Sequence, residues 1–163
     1  MGFFSQRVSR IQASPTISIT AKTKKLKQEG KKIIDFSAGE PDFDTPDNVK
    51  KAAIKAIQDG QTKYTPVNGT KELNEAIIKK FKRENDLIFE PDEITVGCGG
   101  KQVIYNALVA TIEKGDEIII PSPFWVSYPD ITLLVEGNPV VLDCSLENNF
   151  KINPQDLENK ITN

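Results

Sequence analysis

The sequence contains no histidine. That absence removes every Ser–His and Cys–His nucleophile and every His-ligated metal site from this chain. Cysteine is scarce: Cys98 and Cys144 stand far apart and match no zinc spacing, so no metal site is expected. A reducing, cytoplasmic setting fits that usage. No apolar run approaches the length needed to cross a membrane. The opening residues, Met1-Gly-Phe-Phe-Ser-Gln-Arg7, lack the apolar core and cleavage pattern of a secretory signal. The net charge is −2, and no basic stripe is gathered on one face. Nucleic acid is therefore not expected as a partner, because neutralising phosphates takes clustered Lys and Arg. The lysine-rich run Lys22–Lys32 reads as a solvated helix face. There is no internal repeat and no low-complexity tract.

What remains is an ordinary globular mixture, 38% hydrophobic and 27% charged, long enough at 163 residues to bury a core. Residues 1–16 read as irregular and Ile17–Gln28 as a helix stopped by Gly30. Lys32–Phe36 reads as a short strand, followed by a loop over residues 37–46. Thr45 is placed as an N-cap with Pro46 at the first helical position. Val49, Ala53, Ala56 and Ile57 then share a face, with Gly60 at the C-terminal end. A second amphipathic helix carries Leu73, Ala76, Ile77 and Phe81. From Glu93 onward strands alternate with helices: 93–96, then a helix through Ile104, Leu108 and Ile112, then 117–120, 124–135, 139–142 and 154–161. That order implies an α/β fold with a doubly wound parallel sheet.

The most informative stretch is Ile94-Thr-Val-Gly-Cys-Gly-Gly-Lys-Gln102. A strand pattern enters a glycine turn and a helical pattern leaves it, which makes an anion site of backbone N–H groups. Two familiar motifs do not fit. A P-loop would need Gly at position 95 and Ser or Thr at position 102, where Thr95 and Gln102 stand. A dinucleotide fingerprint starting at Gly97 would need a third glycine at position 102. A tight turn without a ligand is the plainer reading of this segment taken alone. Trp125, the only tryptophan, follows the next strand in Pro121-Ser-Pro-Phe-Trp-Val-Ser-Tyr-Pro129. It could be core, but ligands in open α/β sheets lie at the carboxyl ends of strands, and an aromatic plate beside an anion cradle suits a flat, phosphorylated cofactor.

Four segments together resemble a known family: Ser37-Ala-Gly-Glu-Pro-Asp-Phe-Asp-Thr-Pro46, Lys63-Tyr-Thr-Pro66, Val96-Gly-Cys-Gly-Gly-Lys-Gln102 and Pro121–Pro129. In this order and spacing they resemble the N-terminal part of class I pyridoxal-phosphate aminotransferases, nearest the bacterial aspartate/prephenate subgroup. The resemblance runs from about residue 5 to the last residue. It implies the pyridoxal-phosphate fold type I. Residues 1–45 would form an arm and a small-domain segment, and residues 46–163 the first half of the large domain.

The resemblance also implies roles. Gly99, Gly100 and Lys101 would bind the cofactor phosphate through backbone N–H groups. Trp125 would stack on the pyridine ring. Gly39 would meet the substrate α-carboxylate. Tyr64 would reach the phosphate in a neighbouring subunit, making a homodimer part of the mechanism. Lys101, helped by Thr16, would face the distal carboxylate of aspartate, glutamate or prephenate. Thr16 also reads as a helix N-cap before Ile17, and both roles can hold together. Amino acids and 2-oxo acids are the implied partners. The Ser-x-Ser-Lys segment bearing the Schiff-base lysine does not occur in this chain, so no catalytic residue is assigned and the chain alone is expected not to transaminate. An inactive remnant or complementing module that binds the cofactor or a partner chain is the alternative, and a nucleotide-binding domain rests only on the glycine turn. Cys98 is expected to fill space.

Overall fold

The computed structural model describes residues 3–11 and 13–162. Its contacts gather into two compact units, Met1–Ala38 with Gly100–Asn163, and Gly39–Gly99.

The first unit begins with a 3-10 turn at Val8–Arg10 and helix α1 at Pro15–Gln28. Pro15 starts α1, because its fixed φ suits a first helical position and its missing N–H is needed by no partner there. The placement of Thr16 as an N-cap is therefore corrected: Ser14 flanks the helix and Thr16 lies inside its first turn. The helix ends where Gly30 N–H donates to Lys27 and Lys31 N–H donates to Leu26, which caps the last carbonyls.

Lys32–Phe36 is not a strand. A strand needs a neighbouring ladder, and here Asp35 turns its side chain to local partners instead. Lys27 Nζ donates to one oxygen at 2.8 Å, and the Ser37 hydroxyl and amide donate to the other at 2.6 and 3.1 Å. These bonds tie the segment to the end of α1. They also hold the Asp35 carboxyl well below the usual range, chiefly through Lys27 and then Ser37.

After Gly100 the first unit continues with α4 (Gly100–Thr111), β1 (Glu117–Ser122), α5 (Ser127–Leu134), β2 (Asn138–Asp143), a 3-10 turn at Leu146–Asn148, and the short α6 (Pro154–Glu158). Strands β1 and β2 pair in parallel, with Ile119 opposite Val140 and Ile120 opposite Val141. Helix α5 is the crossover between them and packs on both. The core sits at that contact, where Ile120, Ile131, Thr132, Leu142 and Cys144 are buried. Each large aliphatic side chain there contributes about 1.5–3 kcal/mol. The Thr132 hydroxyl is satisfied by donating to the Tyr128 carbonyl at 2.9 Å. Helix α5 starts at Ser127 rather than Phe124, so Trp125 stands in the loop between β1 and the helix.

The second unit holds α2 (Asp47–Gln58) and α3 (Lys71–Asn85). Pro46 flanks α2 with ψ 141, outside the helical range, so the cap lies one residue later than Thr45. Thr70 caps α3, its hydroxyl accepting from Leu73 N–H at 3.3 Å. Phe81 meets Phe89 edge-on at 5.3 Å beyond the helix end. No residue of α2 is buried, and its Val49, Ile54 and Ile57 are exposed.

The strand expected at 93–96 does not form either. Pro91–Glu93 is a 3-10 turn closed by a reciprocal cap between Glu90 and Glu93. The extended residues after it make one backbone bond, from Val96 N–H to the Asn68 carbonyl at 3.1 Å. Among the described residues the parallel sheet thus contains two strands, not the longer alternation expected from residue 93.

Candidate functional site

The glycine turn is built from both sides. Ile94, buried at 8% exposure, and the Val96–Asn68 bond fix the incoming segment. Gly99 N–H donates to the Gly97 carbonyl at 2.9 Å, a tight bend that places Gly99 at φ +87°. A side chain is strained at that φ, which explains Gly99 without any ligand. Gly100 is different. Its φ is not positive, and a Cβ added there meets nothing within 4 Å. It opens α4, where glycine is intrinsically poor. Among the described residues nothing lies within 4 Å of a Cβ added at this place, the first residue of a twelve-residue helix. Those are the properties a phosphate cradle needs.

Lys101 follows on the first turn of α4. Its ammonium lies over the Trp125 ring, 5.0 Å from the centroid. Tyr128, three residues on, meets the same ring edge-on at 5.5 Å and 88°. Trp125 remains 43% exposed, so it is not a core residue of this unit and a ring surface is open for stacking. Cradle, cation and aromatic plate therefore meet at the start of α4 and the end of β1. The donor set fits a flat, phosphorylated ring such as pyridoxal phosphate: N–H dipoles for the phosphate and an indole for the ring.

Thr16 is exposed, its carbonyl accepts from the Thr20 hydroxyl at 2.8 Å, and among the described residues no hydrogen bond joins it to Lys101. Gly39 and Tyr64 belong to the second unit. A Cβ at Gly39 meets nothing within 4 Å. Tyr64 is fully exposed, so it is not a core aromatic of its unit. Two features escaped the sequence reading. Tyr128 supports Trp125 from a spacing that an i, i+3 scan would reveal. The Lys27–Asp35–Ser37 cluster spans an ion pair and a turn that no short motif encodes. A cavity of about 550 Å³ in the first unit, between Ile112, Ile119 and Ile161, includes none of the predicted site residues. Among the described residues no helix is long and apolar enough to cross a membrane, and no cluster of His, Cys, Asp or Glu could hold a metal ion.

Comparison with known proteins places this arrangement. Residues 31–163 match the family described as aminotransferase class I and II. The aspartate/prephenate aminotransferase of Nitrosomonas europaea is 60% identical over 158 residues, 97% of this chain and 40% of that protein. The enzyme of the same name from Cereibacter sphaeroides is 53% identical, over 99% of this chain and 40% of its own length. Among solved structures, the aspartate aminotransferase of Rhizobium meliloti superposes with a TM-score of 0.92 at 49% identity, covering 99% of this chain and 40% of that one. The Thermus thermophilus aspartate aminotransferase with maleate gives 0.94 at 41% identity, covering 99% and 42%. The chain spans about 40% of the length of the curated relatives it matches. Its fold is accordingly the corresponding part of the pyridoxal-phosphate fold type I, α/β with a small parallel sheet. On the family match across four-fifths of its length, and on these identities, the chain belongs to the class I and II aminotransferases.

Proposed function

We propose that this chain is part of an aspartate aminotransferase that also accepts prephenate, moving an amino group between aspartate or glutamate and 2-oxo acids with pyridoxal phosphate. The observation that carries the reading is the Gly100 opening of α4, with Lys101 and Trp125 in contact beside it. Bound there, pyridoxal phosphate would supply the electron sink for bond breaking at the amino acid's α-carbon.

The chain's own residues would do the following. Backbone N–H groups of Gly99, Gly100 and Lys101 hold the phosphate, and Trp125 keeps the ring flat and oriented. Gly39 leaves room for the substrate α-carboxylate. Lys101 and Thr16 favour a second, distal carboxylate over neutral side chains. That preference is in keeping with the dicarboxylate maleate in the Thermus thermophilus relative. Tyr64, fully exposed, reaches the cofactor phosphate of a second subunit, which makes the complete enzyme a homodimer. In that enzyme residues 1–45 form the arm and small-domain segment, and residues 46–163 the first half of the large domain. We place it in the cytoplasm, where two cysteines not joined to each other stay reduced.

No catalytic residue is assigned to this chain, because the lysine segment of the family has no match in it. Alone it is inactive, and it holds half of a cofactor site. A second reading is a complementing module that binds the cofactor or a partner chain. The test is to supply the remaining portion of a relative, joined or separate, and assay amino transfer from aspartate to a 2-oxo acid and to prephenate. Aspartate-dependent turnover supports the enzyme. A complex that binds pyridoxal phosphate without turnover supports the module and refutes the enzyme.

A further inference from the structure

Among the described residues Lys101 makes no ion pair with a carboxylate, and its ammonium is held by the Trp125 ring instead. The ring has its own support. Tyr128 meets it edge-on from the first turn of α5, which restrains the plane the ammonium rests on. Lysine carries its charge on a flexible four-carbon stem, and an indole face is the best aromatic seat for such a cation. A cation–π contact at an exposed site is weaker than a charge-assisted hydrogen bond to a carboxylate. A lysine seated this way is ordered before a ligand arrives and is still able to leave the ring. That ordering lowers the entropy lost on binding.

We propose that Trp125 is a positioning residue for Lys101: its ring seats the ammonium and releases it to the distal carboxylate of a dicarboxylic substrate. The residue that stacks the cofactor would thereby also set the side-chain preference. This rests on the reading above in which Lys101 meets that carboxylate.

Trp125 is the only tryptophan, so its fluorescence reports on the contact directly in the chain as it exists. The experiment uses dilute protein to limit self-association. An ammonium on the ring quenches indole emission, so Lys101→Met brightens it. Succinate then raises the parent's emission toward that of Lys101→Met. Butyrate at equal ionic strength does not, and Lys101→Met responds to neither. Identical emission from the parent and Lys101→Met overturns the proposal. So does an equal response to the two anions, or no response to succinate. A parallel titration of the parent chain with pyridoxal phosphate separates the two readings. Saturable quenching there upholds the cofactor site whatever succinate does, and its absence refutes that site while the emission comparison still decides the Lys101–Trp125 contact.

Discussion

Adding one methyl group at Gly69 should destabilise the Gly39–Gly99 unit. Gly69 has φ +105°, beyond the left-handed well that side chains tolerate, and holding an alanine there costs about 1–3 kcal/mol. The methyl also has no room: it would lie 2.8 Å from Val96 Cγ2 and 3.0 Å from both Val96 Cβ and Asn74 Oδ1. Neither neighbour yields easily. Val96 is held by its bond to Asn68, and Asn74 is buried in α3 at 5% exposure. Overpacking of this kind adds about 1–3 kcal/mol. Together the two effects give about 2–6 kcal/mol, enough to speed exchange of a protected amide by roughly thirtyfold or more. The amide to follow is that of Val96, which leads into the glycine turn. Gly39→Ala is the control, since its φ is not positive and its Cβ meets nothing within 4 Å. Protection at Val96 within threefold of the parent in Gly69→Ala, or an equal loss in Gly39→Ala, would refute the packing argument.

Gly100→Ala should leave stability unchanged or slightly raised, because alanine suits a helix better by about 1 kcal/mol. It should nevertheless weaken pyridoxal-phosphate binding about tenfold, about 1.4 kcal/mol, and equal affinity would refute the cradle. Asp35 gives a pH dependence. Its folded carboxyl is held below the ordinary value of 3.8, so its contribution is complete above that value and drains as pH falls toward the lower folded one. Asp35→Asn should remove this acid-side loss in exchange of the Ser37 amide, and an unchanged pH profile would count against the cluster. The isolated chain should self-associate. Among the described residues both strands of its sheet have an unpaired edge, and the apolar side chains Ile54, Ile57 and Val109 are exposed. Light scattering that shows a monodisperse, cooperatively unfolding monomer would contradict this.

The helices were legible because their signals are local. Periodic apolar positions in α2 and α3, Pro46 near a helix start, and Gly30 and Gly60 just past helix ends act within a turn or two of chain. Strand pairing is not local, and Lys32–Phe36 and Glu93–Val96 show the consequence. Both carry apolar residues in a pattern that reads as a strand, yet neither finds a ladder among the described residues. The glycine turn and Trp125 were legible as chemistry, because residue type and order alone select a cradle and a plate. The seating of Lys101 on Trp125 was not. It joins residues 24 apart in sequence through a rotamer that no spacing rule predicts. The contrast between Gly99 and Gly100 was likewise invisible until φ and free space were known.

The central claim is that this chain holds half of a pyridoxal-phosphate site. The measurement that tests it most directly is a pyridoxal-phosphate titration of the purified chain, followed by Trp125 emission, then borohydride reduction and peptide mapping. The account predicts saturable quenching that inorganic phosphate relieves, with no stoichiometric adduct at any one lysine. Absence of saturable binding, or a single stoichiometric lysine adduct whose absorption aspartate bleaches, would contradict it.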